Sequence, residues 1–293
     1  MKNQTSTTIR QIPCASWGDY KARIMHDYAE VSFPLEGDPS YSNFPIFRGH
    51  ANANWPLASQ WERHMSSVGK SSLMNRSRWQ IALDTVFNDF KDLAYGAPGL
   101  HGHDFTEIDW WAIGRHYGLI TPLLDWTRSP YVAAFFAFTG YAEIISPGFT
   151  TSGTFDPKPF LVTDESTHVA VWALRVGPYL ASASDLVILD PHVDLGHRQR
   201  AQRGLFSRLN HETHLNVVDY LASAELTETP LRKYLIPCRD TAMALSELRL
   251  MNITFATMFP DLHGAALQAN FETASLLLLT IANAHTKADE IVS

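Results

Sequence analysis

Between Ser71 and Tyr95 the apolar residues Leu73, Trp79, Leu83, Val86, Phe87, Phe90 and Leu93 recur at helical spacing. The pattern predicts a helix there, ended by the Gly/Pro-rich stretch Gly96 to Gly102. Upstream, Trp17 to Val31 reads as a first helix, followed by a turn-rich segment from Pro34 to Pro45. Ile46-Phe47-Arg48 then reads as a short strand closed by Gly49. A further helix is expected from Thr106 to Tyr117, with Thr106 as its cap and Gly118 as its stop. Pro122 makes the residues after it extended or turn-like. Pro130 suits the first position of the next helix, Tyr131 to Ala142, with Ser129 capping it.

The pattern changes past the loop Ser146 to Lys158, which is rich in Gly, Pro, Ser and Thr. His168 to Leu174 alternates in strand fashion, and Asp185 to Leu189 is another short apolar run. Gly204 to Leu209 and Arg232 to Ile236 read as strands, and Leu215 to Ala222 as a helix. Arg239 to Met251 is amphipathic, Ile253 to Met258 reads as a final strand, and Leu262 to Ala284 as a closing helix. A helical first half and a mixed strand/helix second half predict an α+β fold in a single domain.

Composition narrows the class. With 293 residues, 45% of them hydrophobic and 18% charged, the chain has a globular balance and needs no staple to close a core. Its net charge of −7 argues against a protein that coats nucleic acid, although local clusters such as Arg198 to Arg203 could still meet phosphates. Two cysteines, Cys14 and Cys238, give no disulfide framework. Met1 to Pro13 lacks the apolar core of a signal peptide. The apolar stretch Ala274 to Ala284 is too short to span a bilayer, so a cytoplasmic protein with no membrane partner is expected.

Three constellations carry chemistry. Phe47-Arg48-Gly49 sets an arginine at a strand end, where a guanidinium can grip a phosphate or carboxylate; a structural ion pair is the competing reading. The stretch from Arg115 through His116, Tyr117 and Gly118 to Asp125-Trp126-Thr127-Arg128-Ser129-Pro130 brings acid, base, hydroxyl and indole together at a turn that opens a helix. Asp125 and Thr127 could instead merely satisfy that turn. Arg198 to Ser207 offers Gln202 before a strand, or simply a basic turn. His101 and His103 form a loop pair better read as solvated than as metal ligands, and no metal is expected.

Taken in order, these constellations resemble the FRG-domain family, named for a Phe-Arg-Gly motif that stands here at Phe47 to Gly49. Trp55-Pro56-Leu57 with Arg63, His116-Tyr117-Gly118, Leu123-Leu124-Asp125-Trp126-Thr127, Phe135-Phe136-Ala137, Gln202 with Gly204-Leu205-Phe206-Ser207, Tyr234 to Pro237, and Phe259 to Gly264 carry the resemblance further. Arg115 stands where the family usually has Gln, and Ile120-Thr121-Pro122 where it usually has Pro-Thr-Arg. The resemblance divides the chain into a helical lead-in (1–43), the FRG domain (44–269) and a C-terminal helix (270–293) that packs on the domain or docks a partner through Leu276 to Leu279.

The family's layout is in turn similar to that of ADP-ribosyltransferases, which implies an ADP-ribosyltransferase-like core and NAD as co-substrate. By that resemblance Phe47, Arg48 and Gly49 hold the NAD pyrophosphate. Asp125, Thr127 and Ser129 frame the nicotinamide ribose, and His116, Tyr117, Trp126 or Tyr131 stack on or hydrogen-bond the nicotinamide. Gln202 stands where those enzymes carry a glutamate, so Arg48, His116, Asp125, Thr127 and Gln202 form the candidate catalytic set. Arg115, Arg128, Arg200 and Arg203 form a candidate acceptor track. The implied function is mono-ADP-ribosylation of a nucleic acid or protein by a toxin-type effector of a toxin–antitoxin or phage-defence system, with an antitoxin or other inhibitory partner. A non-catalytic nucleotide-sensing or partner-binding domain is the alternative, and a metal-dependent nuclease toxin using His116 and Asp125 is the third reading.

Overall fold

The computed structural model describes residues 9–28, 45–68, 76–97, 100, 104–146, 166–180, 183–190, 197–209, 216–224, 226 and 229–276. Seven strands form one mixed sheet: β1 (Ile9–Pro13), β2 (Ile46–His50), β3 (Leu124–Thr127), β4 (His168–Leu174), β5 (Leu186–Leu189), β6 (Gly204–Leu209) and β7 (Leu231–Pro237). Their order across the sheet is β1-β7-β4-β2-β3-β6-β5. Only the edge pair β1–β7 is parallel; the other neighbours run antiparallel.

Helices cover both faces. They are α1 (Trp17–Tyr28), α2 (Gln60–Val68), α3 (Arg76–Ala94), α4 (Glu107–His116), α5 (Pro130–Ile145), α6 (Arg198–Ala201), α7 (Val217–Ser223), α8 (Thr241–Leu250), α9 (Phe255–Met258) and α10 (262–276). Alternation along β4 explains how both faces are buried. Val169, Val171 and Ala173 join a core with α1, α5 and α8, whereas Trp172 and Leu174 join another with α7. A third cluster ties α2, α3 and α4 together through Trp61, Leu83 and Trp111.

Within the expected helical lead-in, Ile9 to Pro13 instead supply an edge strand, and Trp17 and Tyr20 behind them are completely buried. An edge strand shows one buried residue among polar ones, so its pattern is weak. The expected strand Ile253 to Met258 is instead a helical turn, Phe255–Met258. Thr254 and Thr257 form a reciprocal cap there, and that local bonding outweighs the β-propensity of the run. After Pro122 the chain takes the extended of its two expected forms: Leu124–Thr127 is strand β3, because β6 pairs with it along its whole length. The expected helices from Thr106 and Pro130 stand, with Thr106 and Ser129 as their caps. Residues 147–165 and 277–293, the latter with Leu277 to Leu279, lie outside the described residues, as do His101 and His103.

Candidate functional site

Strands β2 and β3 pair at one position, Phe47↔Thr127, while each pairs fully with its other neighbour. Past that bridge the two strands part, and a cleft opens within the sheet. The pleat sets Arg48 on the face of Ile46 and Asp125 on the other face, away from Trp126, and the two side chains reach each other only through the gap where the strands part. Arg48 Nη1 donates to the Asp125 carbonyl at 2.8 Å and to its carboxylate Oδ2 at 3.2 Å. The guanidinium thus takes a backbone oxygen at the point where the ladder stops.

From the end of α4, Arg115 reaches the same carboxylate, with Nη2 on Oδ2 at 2.7 Å and Nε on Oδ1 at 3.2 Å. Its Nη1 donates to Gln60 Oε1 at 2.5 Å. One carboxylate therefore lies between two guanidiniums. Enclosure favours the protonated acid, but Arg115 and Arg48 outweigh it and hold the Asp125 carboxyl down at about 2. Burial pulls the Arg48 pKa down, with Asp125 opposing that shift; a guanidinium stays charged throughout. The cluster carries a net charge of +1.

Two lobes open from it. The larger, about 360 Å³, is lined by Ile113, His116, Arg198, Phe206 and Phe259 among others. The smaller, about 280 Å³, is lined by Arg48, Gly49, Thr127 and Phe136 among others. Arg115, Asp125, Trp126 and Gln202 line both lobes. Each volume is near the lower bound for a small-molecule site of roughly 300 Å³. Arg198 forms one wall: its guanidinium lies 5.2 Å from the Phe259 ring centre and pairs with Asp261 at 2.6 Å.

Of the expected residues, Phe47, Arg48, Gly49, Arg115, His116, Asp125, Trp126, Thr127 and Gln202 line one lobe or both. Several do so in other roles than expected. Phe47 is a core residue, 1% exposed, with its ring edge-on to Tyr28. A Cβ on Gly49 would lie 1.9 Å from the Ala133 carbonyl oxygen, so this glycine admits α5, not a ligand. The Trp126 indole donates to Ser207 Oγ at 2.8 Å and is buried. Thr127 Oγ1 donates to the Gln202 carbonyl at 2.6 Å. Gln202 Nε2 donates to the Met258 carbonyl at 3.1 Å, which sets the flip of its amide.

Other expected residues stand outside the cleft. Tyr117 is 71% exposed and edge-on to His116, and Tyr131 packs against Trp17. Ser129 caps α5 by accepting from the Val132 N–H. Pro130 has no N–H, and the Val132 N–H is taken by the Ser129 hydroxyl, so the first turn of this helix offers fewer donors than the expected anion site would use. Arg115, expected in an acceptor track, is bonded to Asp125 and Gln60. Arg128 pairs with Asp190 at 2.7 Å. Arg200 and Arg203 are exposed on the rim, and Arg203 holds a left-handed backbone at φ 50°.

Sequence reasoning missed Gln60 and Phe259 as parts of the site. For Gln60 a signal existed. Ser59-Gln60-Trp61-Glu62 is a capping-box pattern, and Ser59 Oγ and the Glu62 carboxylate do bond each other's backbone N–H. That box starts α2 and aims Gln60 at Arg115.

Residues 43–143 match the family model of the FRG domain. The chain carries an FRG domain. The matched residues include Arg48, Arg115 and Asp125, whereas the FRG match ends before Gln202 and Phe259, which form the opposite wall of the cleft. No curated protein and no solved structure matches the chain. No helix among the described residues is long and apolar enough to cross a membrane.

Proposed function

We propose that the split between β2 and β3 binds NAD, and that the protein transfers ADP-ribose from it to a nucleic acid or protein. The supporting observation is the charge of the cluster: two guanidiniums on one carboxylate, open to a cleft with two lobes. Arg48 uses Nε and Nη1 within the protein, and among the described residues its Nη2 has no hydrogen-bond partner. A diphosphate is the anion this edge suits, since a guanidinium can offer it paired N–H donors.

In the transfer, the bond from ribose C1′ to the nicotinamide nitrogen breaks and its electron pair leaves with nicotinamide. A nucleophile of the acceptor forms a bond to C1′ and loses its proton. The ribose carries positive charge between these events, and the Asp125 carboxylate is the group that would face it. A diphosphate bound to Arg48 removes the local excess of positive charge that would otherwise oppose this step. The same reading predicts toxicity on expression, relieved by a partner that covers the cleft.

One observation favours the alternative of a nucleotide-sensing domain. Asp125 is already engaged by two guanidiniums, and Gln202, the residue facing it across the cleft, is neutral. A nuclease would need clustered ligands, and among the described residues no group of three or more His, Cys, Asp or Glu side chains converges.

Incubation with radiolabelled NAD and total RNA, DNA or lysate protein tests the proposal. Transfer predicts label on one of these classes, abolished by Arg48→Ala. Saturable NAD binding without label or nicotinamide release favours the sensor. Metal-dependent cleavage of nucleic acid that ignores NAD overturns both.

A further inference from the structure

Behind Arg48 on the same strand, His50 is 5% exposed and touches no described lobe of the cleft. Its ring stands between two donors. Arg48 Nε–H points at Nε2 and Trp172 Nε1–H at Nδ1, each at 3.2 Å. The rings of Trp55 and Trp172 meet it edge-on. A neutral imidazole has one N–H and one lone pair, so it cannot accept from both donors.

We infer, building on the reading of Arg48 as the anion-binding group, that His50 is a positioning residue whose Nε2 lone pair fixes the Arg48 guanidinium, with the ring proton on Nδ1. The choice between tautomers is electrostatic. A bond from a cationic guanidinium is roughly twice as strong as one between neutral groups, so Arg48 outweighs the indole for the lone pair. The opposite tautomer would set a ring N–H against a buried guanidinium N–H. Protonating both nitrogens is opposed by burial and then by Arg48, Lys233 and Arg63, which hold the His50 pKa down at about 3. The remaining ring partner is the backbone of Trp55.

The consequence lies at the other end of the guanidinium. His50 holds Nε and Asp125 holds Nη1. A planar group pinned at two of its three nitrogens has its third, Nη2, in one place. Arg48 is thus oriented before any ligand arrives, which removes the ordering cost from binding.

Long-range proton–nitrogen NMR of the ligand-free protein, with histidine labelled in the ring, reads the tautomer directly. The expected result is an unprotonated Nε2 and a protonated Nδ1 for His50; a protonated Nε2 overturns the inference. NAD is absent from that measurement, so its outcome is separate from that of the labelling experiment. Titration with NAD supplies the second readout. His50→Leu is expected to weaken binding about tenfold, and His50→Gln, whose amide oxygen can accept from Arg48, to recover most of that loss. Equal affinity for wild type and His50→Leu overturns the positioning role. Should His50→Leu fail to fold, the wild-type spectrum and a His50→Gln affinity near that of wild type still decide it, and a tenfold loss in His50→Gln with an unchanged fold counts against it.

Discussion

Two of the acid–arginine clusters among the described residues, at Asp27 and at Asp125, differ in charge balance and in what they face. Asp27 accepts from Tyr234 Oη at 2.6 Å and pairs with Arg232 at 2.8 Å, and both charged side chains are mostly buried, at 19% and 16% exposed. One carboxylate meets one guanidinium, whose far face lies over the Tyr28 ring. Neither Asp27 nor Arg232 lines a described cavity. Asp125 has the same chemistry with one guanidinium more, and its side chain is 38% exposed to the cleft. A closed, balanced cluster holds structure together. An open cluster with surplus charge is prepared for a further anion.

The largest effect expected from testing that contrast is the loss of Asp125. Asp125→Ala leaves Arg48 and Arg115 facing each other, and should cost about 4 kcal/mol of stability, read from the urea midpoint. Added polyvalent anion should restore part of that loss, since it replaces the missing negative charge; no such rescue is expected at Asp27.

Acid should act next most strongly, through His50. Its folded pKa of about 3 lies below the unfolded value near 6.5. The unfolded chain binds the proton first, so the stability is complete above pH 6.5 and declines as pH falls toward 3, by at most about 1.4 kcal/mol per unit. His50→Gln should flatten the urea midpoint over that window. Asp125 adds a smaller loss below pH 4 as its carboxyl protonates, reduced by solvent access to the cleft.

Asp27→Asn keeps the acceptor for Tyr234 but strands Arg232, with an expected cost of about 2 kcal/mol in the same denaturation. Its ligand affinity should match that of wild type, and a loss there equal to that of Arg115→Gln would erase the distinction between the clusters. The smallest change is expected from Arg115→Gln, at about 1 kcal/mol, because Arg48 still pairs the carboxylate. NAD affinity, followed by calorimetry, should fall with it as the cluster becomes neutral.

Legibility in the sequence tracked the range of the interactions. Thr106 and Ser129 announced their helices because a cap is a contact over three residues. Arg48, Asp125 and Gln202 could be singled out by type and resemblance, but the Arg48–Asp125 bond spans 77 residues and no local pattern encodes it. The pull of β6 on Asp125 to Thr127, which chose the extended form over the turn after Pro122, was invisible for the same reason. Arg115 was read as an open contact for phosphate, because nothing in its own segment shows that Asp125 and Gln60 would claim it. His50 carried no signal, since Trp172, the partner at its other ring nitrogen, is set by the neighbour that β2 finds in β4.

The order β1-β7-β4-β2-β3-β6-β5 also bears on how the chain reaches this state. Strands β4 and β7, at the middle of the sheet's larger half, are separated in sequence by β5 and β6, which pair at the far edge. Ile9–Pro13 is synthesised first yet has its partner in Leu231–Pro237. Such non-local pairing makes for slow folding, and on the ribosome the early strands wait with bare edges for most of translation. The nascent chain is therefore the form of this protein most exposed to aggregation and most in need of a chaperone.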